Sequence, residues 1–272
     1  SKGGSSPIIR FILGFFVMIG ALMFLGCPIR MILRLGGGDL NALFGIAGFA
    51  GGIGVGTIFL KKGYSLQRTY ALSKLESAMM PAIQVGLLVL VVTAPAFILF
   101  SQKKPGAMHA PWLISLAAGL VVGGLSQFSR LCTVGGFRDL FLFKKSILIF
   151  GYLAVLIGVF VVNISFGNFH LGFENQPIAH TDGLWNFLGM ALAGFCSVLL
   201  GGCPLRQLIM TGEGNSDSAV TVLGLAAGAA FAHNFGLAAS GAGPTLNGEI
   251  AVGVGFVVAF IIAVLNTKRS NA

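Results

Sequence analysis

Eight apolar runs, at residues 8–26, 40–60, 82–101, 112–131, 146–166, 184–201, 218–240 and 248–266, divide this chain of 272 residues. Each falls in the range of about 17–25 residues that a helix needs to cross the hydrocarbon of a bilayer. Hydrophobic residues make up 56% of the chain, charged residues 9%, and mean hydropathy is +0.92. A soluble domain carries about 25% charged residues. The chain therefore reads as an all-α integral membrane protein with about eight transmembrane helices. The first run is too long, and too closely followed by others, to be a removed signal peptide.

Superimposed on these runs is an ungapped internal repeat. Gly26-Cys27-Pro28-Ile29-Arg30 returns as Gly202-Cys203-Pro204-Leu205-Arg206, 176 residues on. Gly36, Gly38, Gly48 and Gly52 keep the same offset to Gly212, Gly214, Gly224 and Gly228. Five spans separate the two phrases, and an odd number reverses direction. The repeat is thus expected to be inverted, the arrangement that places a transporter site near the bilayer midplane. Spans 6–8 match spans 1–3, which leaves spans 4 and 5 without partners. Residues 1–110 are then the remainder of a first repeat and 111–272 the second. The expected parent is a ten-span protein, with part of its first half upstream of Ser1.

The repeated phrase has a local physical meaning. Gly26 and Gly202 let the chain turn sharply out of one helix. Pro28 and Pro204 suit a first helical position, where the missing N–H has no partner to lose. Cys27 and Cys203 become N-caps of helices over 27–36 and 203–212, too short to span and expected to be re-entrant. Unpaired N–H groups at such helix starts attract anions and favour thiolate. The cysteines can thus donate S–H to an anion, act as thiolates, or simply pack. Arg30 and Arg206 share a face with these cysteines, and Arg34 lies a turn beyond Arg30. They bind an anion or tie the half-helix to neighbouring carbonyls. A third phrase, Ser129-Arg130-Leu131-Cys132-Thr133-Val134-Gly135-Gly136-Phe137-Arg138-Asp139, again closes a span with a thiol, glycines and arginines. Asp139 reads as the partner of another segment's arginine or as an interfacial cap. Cys196 lacks Pro and Arg neighbours and reads as packing. His233 and Asn234 interrupt span 7, either as substrate ligands or as a helix–helix hydrogen bond. Residues 65–80 read as an interfacial helix and connection.

The net charge of +9 follows the positive-inside bias. Lys61, Lys62, Arg68 and Lys74, then Arg130, Arg138, Lys144 and Lys145, then Lys268 and Arg269, fall on one side. Asn168–Gly183, with Glu174 and Asp182, falls on the other. Lys103 and Lys104 fit poorly. Both termini are then cytoplasmic. The four cysteines and four histidines form no metal or redox pattern, so no cofactor and no metal are expected.

GCPIR, SRLCTVGGFRDLF and GGCPLR together resemble the YeeE/YedE family of membrane transporters over essentially the whole chain. The nearest likeness is to its YedE-type branch, assigned to selenium transport and related to thiosulfate importers. The resemblance implies a bacterial or archaeal cytoplasmic membrane and a path of thiols, Cys27, Cys132 and Cys203. These would relay a small sulfur or selenium anion by S–H hydrogen bonds. It also implies a cytoplasmic sulfur-carrier partner of the SirA/TusA type, and no nucleic acid. The expected activity is transport, not catalysis. A passive channel built on paired half-helices is the alternative, kept open because no carboxylate falls mid-span. A thiol oxidoreductase is a further one.

Overall fold

The computed structural model describes residues 2–66, 69–94, 97 and 110–267. In chain order its elements are β1 (Lys2–Gly3), α1 (Pro7–Phe24), α2 (Pro28–Gly36), α3 (Asn41–Lys61), β2 (Tyr70–Ala71), α4 (Lys74–Thr93), α5 (Trp112–Phe128), α6 (Thr133–Phe143), α7 (Ile147–Ser165), α8 (Gly183–Leu200), α9 (Pro204–Gly212), α10 (Ser216–Asn234) and α11 (Leu246–Leu265). Among the described residues, seven segments are long and apolar enough to cross a membrane, three of them containing a break followed by a short helix. The fold is that of an all-α membrane protein.

The internal repeat is visible as geometry. Helices α1 and α8 end in left-handed residues, Leu25 at φ 62° and Gly201 at φ 85°, which occupy equivalent positions. The next N–H turns back to the helix in both copies, Gly26 to Ala21 O and Gly202 to Ser197 O. Cys27 (φ −76°, ψ 170°) and Cys203 (φ −72°, ψ 164°) then adopt the same extended N-cap conformation. Glycine takes φ > 0 without strain, whereas Leu25 holds it against a steric cost. The short helices α2 and α9 begin at the two prolines, at the limits expected from the repeat.

Three expectations need correction. The third span lies not at 82–101 but over α4, because Ser73 and Glu76 form a reciprocal cap that starts a helix earlier. Residues 74–80 therefore belong to that helix and not to an interfacial connection. Pro81 is accommodated inside it. The span expected at 218–240 is α10, which stops at Asn234 and is not among the seven apolar segments. Its first turn carries buried Asp217 and Ser218, which pack within the protein. Arg68, Lys103, Lys104, Lys268 and Arg269, and most of 95–101, lie outside the described residues.

Glycine faces set the helix packing. A Cβ at Gly48 or Gly52 of α3 would overlap the carbonyl oxygen of Phe187 or Ala191 in α8. A Cβ at Gly224 or Gly228 of α10 would overlap that of Phe11 or Phe15 in α1. Every residue in the second pair of contacts is the repeat equivalent of one in the first. The contacts also give direction: α3 runs with α8, and α10 runs with α1. Helices α1 and α3 run oppositely, since Phe24 meets Gly45 near one end while Arg10 is close to Tyr64 at the other.

Two apolar clusters fill the interior. One includes Leu13, Val17, Met23, Leu192 and Cys196; the other gathers Phe24, Met31, Phe49, Val134, Met190, Cys132 and Cys203. Polar fasteners close both helix entrances. Asp217 accepts from Ser5 N and Oγ at 3.0 and 2.6 Å and pairs with Arg10 at 3.4 Å. Asn41 binds Asp39 and the Phe173 carbonyl. The segments after α2 and α7 are joined by His170 N to Gly37 O and Leu40 N to Gly172 O.

Gly52→Ala and Gly228→Ala should each destabilise the protein by about 1–3 kcal/mol, the usual range for overpacking. Gly253→Ala, which meets nothing within 4 Å, should be neutral. Thermal midpoints in one detergent measure all three.

Candidate functional site

Three of the four cysteines cap short helices. Cys27 caps α2, Cys132 caps α6 and Cys203 caps α9. The third short helix was not anticipated, because Thr133 stands where the other two copies have proline. Its Cys132 Sγ accepts from Gly135 N at 3.3 Å. Gly135 and Gly136 let α6 press against Leu148 and Ile149 of α7.

The helix starts converge. Cys132 and Cys203 pack in one apolar cluster, near enough to influence each other's charge, and Thr133 and the Arg206 N–H lie near Cys203. Tyr152 of α7 sits close to both Cys203 and Cys27, and its hydroxyl donates to Pro28 O at 3.3 Å. Cys203 is 1% exposed and Cys132 9%, while Cys27 is half-buried. Around them lie Met31, Phe49, Val134, Phe137 and Leu205. Three helix N-termini thus converge on closely packed apolar surroundings, where their partial positive charge suits an anion better than a cation. Cys196 is fully buried in the other cluster.

The arginines have separate roles. Arg34 donates from Nε to Asp39 at 2.6 Å and from Nη1 to Phe24 O, and its guanidinium stacks over the Phe24 ring at 4.1 Å. It fastens α2 to the end of α1, and breaking such a buried pair costs about 3–5 kcal/mol. Its repeat equivalent is Met210, so the second copy has no such tie. Arg30 folds back over Gly26, its Nε is buried without a partner, and it meets no carboxylate among the described residues. It faces a pocket of ≈ 550 Å³ lined also by Arg34, Asp39, Asn163, His170 and Gln176. Arg206 folds back over Gly202 in the same way. It donates from Nη1 to Gln127 Oε1 at 2.6 Å and lies 3.9 Å from Glu213. Neither Arg30 nor Arg206 holds the backbone carbonyls considered from sequence.

The other candidates lie elsewhere. His233 and Asn234 are exposed at the end of α10, and Asn234 donates to Ala230 O of its own helix. They interrupt no span, because the helix ends there, and they are not brought to the thiols. Asp139 pairs with its neighbour Arg138 at 2.8 Å, not with another segment's arginine. The long arginine side chain bends back where the adjacent backbone positions diverge. A larger groove of ≈ 640 Å³, bounded in part by Gly52, Ala191 and Phe256, is apolar and offers no chemistry.

Residues 128–267, which hold α6 to α11 with Cys132 and Cys203, match the family described as sulphur transport. The chain belongs to the sulphur transport family. No curated protein matches it. Membership makes this a sulfur-related membrane transporter. Sequence reasoning missed Tyr152, Thr133 and Gln127. Thr133 was adjacent to a flagged cysteine, but only packing brings the other two to the site.

Behind the polar pocket of this sulphur transport protein, His180 is 2% exposed in the connection between α7 and α8. Its Nε2 donates to Met23 O at 2.8 Å, which leaves a buried, unpartnered Nδ1. Burial lowers its pKa, aided by Arg34, against the Met23 bond, Asp182 and Asp39. The neutral ring therefore stabilises the fold fully above the unfolded value of about 6.5. That contribution is lost as pH falls toward the depressed folded value. Between about pH 7 and 5 the thermal midpoint of the native protein should drop more steeply than that of His180→Gln.

Proposed function

We propose that the chain takes up a small sulfur or selenium anion of the thiosulfate type, handed along Cys27, Cys132 and Cys203. The observation that carries this reading is the convergence of three cysteine-capped helix starts, two of which pack their cysteines in one apolar cluster. A thiol at each cap donates to a soft anion, while the surrounding N–H groups favour its charge. Arg30, which meets no carboxylate among the described residues and faces the polar pocket, is the natural first ligand, and the half-buried Cys27 the first thiol. Gly26, Pro28, Gly202 and Pro204 shape the two capped turns. The reciprocal contacts between α1 and α10 and between α3 and α8, with α1 and α3 opposed, support an inverted repeat about an axis in the membrane plane. Junction of the segments following α2 and α7 agrees with their common placement opposite the basic loops of a cytoplasmic membrane; with α10 counted as an eighth crossing, both termini lie inside.

A passive aqueous pore fits less well. The thiols pack among Phe24, Met31, Phe49 and Met190, and a space so lined does not hold a continuous file of water. A relay needs only brief, local rearrangement at each thiol.

Uptake of labelled thiosulfate and selenite into cells or vesicles tests the reading. Cys27→Ala, Cys132→Ala and Cys203→Ala should each reduce uptake at least about tenfold, which corresponds to about 1.4 kcal/mol, at unchanged abundance. Cys196→Ala should retain it. Residual uptake in the serine variants would indicate hydrogen-bond relay, and complete loss would indicate thiolate chemistry. Arg30→Lys should keep part of the activity if charge suffices and little if a planar fork is needed. Normal uptake in all three alanine variants would overturn the relay.

A further inference from the structure

We propose that Arg206, Glu213 and Gln127 form a latch over the Cys203 end of the thiol path. It opens when an anion takes the Arg206 guanidinium over from both the Gln127 Oε1 and the Glu213 carboxylate. The inference rests on the transport reading above and assigns a role to residues that reading does not use.

The argument begins with the repeat. Arg30 and Arg206 are equivalent, and each folds back over the glycine that precedes its capping cysteine. Their surroundings differ. Glu213 stands where the first copy has Gly37, and the acid nearest Arg30, Asp39, is held by Arg34. Arg30 consequently faces its pocket without a carboxylate partner among the described residues, whereas Arg206 is neutralised. The two ends of one path thus present a bare cation and a matched ion pair.

The strengths of the two Arg206 contacts fit exchange. The Glu213 pair, at 3.9 Å with side chains 20% and 41% exposed, is long and solvated, and such pairs are weak. An oxyanion leaving Cys203 can offer the planar guanidinium two oxygens at closer range. The Gln127 bond, at 2.6 Å, is short and has a charged donor. It joins the end of α5 to α9, and thereby bridges the two segments whose cysteines pack together. Gln127 precedes Cys132 by five residues and Arg206 follows Cys203 by three. Release of Arg206 therefore frees the α9 start from α5 at the place where Cys203 is otherwise enclosed.

Cys203 is 1% exposed, so its modification by N-ethylmaleimide reports opening. The experiment uses the full chain in detergent or nanodiscs, with each cysteine followed by peptide mass spectrometry. Glu213→Gln and Gln127→Ala should each raise the Cys203 rate about two- to tenfold, as expected for loss of a solvated pair or a charged hydrogen bond. The Cys27 and Cys196 rates should stay unchanged. Sulfate, added at constant ionic strength, should raise the Cys203 rate in the native protein and not in Glu213→Gln. Native Cys203 rates in both variants, or a parallel rise at Cys196 that marks general loosening, would overturn the latch. So would failure of sulfate to act on the native protein. Labelling needs no transport. Acceleration in a chain that takes up no thiosulfate would support the latch and overturn only the transport reading.

Discussion

Close backbone approach at glycine is the constraint on which the rest of this structure depends. Inside a membrane, apolar side chains have no hydrophobic reason to prefer one another over lipid, so helices associate by fit. Gly48 and Gly52 let α3 reach the backbone of α8, and Gly224 and Gly228 let α10 reach that of α1. The contacts are reciprocal, as an isologous interface requires. The ends of α1 and α8 are thereby held in fixed relation, and with them the turns that carry Cys27 and Cys203.

From that frame the site follows by local chemistry. A left-handed cap ends each long helix, an extended cysteine follows, and a proline starts the next short helix. The third helix start, at Cys132, arrives from a different part of the chain and packs with Cys203. The N-terminus of each short helix carries a partial positive charge without a full one, while the full charges of Arg30 and Arg206 lie one turn beyond their cysteines.

Equivalent sequence did not produce equivalent electrostatics. Arg34 is bound to Asp39, Arg206 to Gln127 and Glu213, and Arg30 to no carboxylate among the described residues. Replacements in the repeat, Met210 for Arg34, Asn215 for Asp39 and Glu213 for Gly37, contribute to the difference.

Much of this was legible in the order of residues. Runs of apolar residues determine a spanning helix because bilayer thickness sets its length, and Gly-Cys-Pro determines a capped break because each residue has a narrow backbone preference. The offset of 176 residues announced two matched halves. What stayed hidden depended on side chains meeting across the fold. Thr133 lacks the proline that marks the other short helices, so α6 gave no signal. The reciprocal cap at Ser73 and Glu76 moved α4 because two hydrogen bonds outweighed hydropathy in setting its start. His233 and Asn234 looked buried in a run of apolar residues, yet α10 ends there and leaves them exposed. Tyr152 and Gln127 reach the site only through contacts between residues more than 75 positions apart, at Pro28 and Arg206. Spacing along the chain determined the helices and their caps. Tertiary packing alone decided which cysteines pack together and which arginine meets no carboxylate among the described residues, because those depend on distances that a linear pattern does not encode.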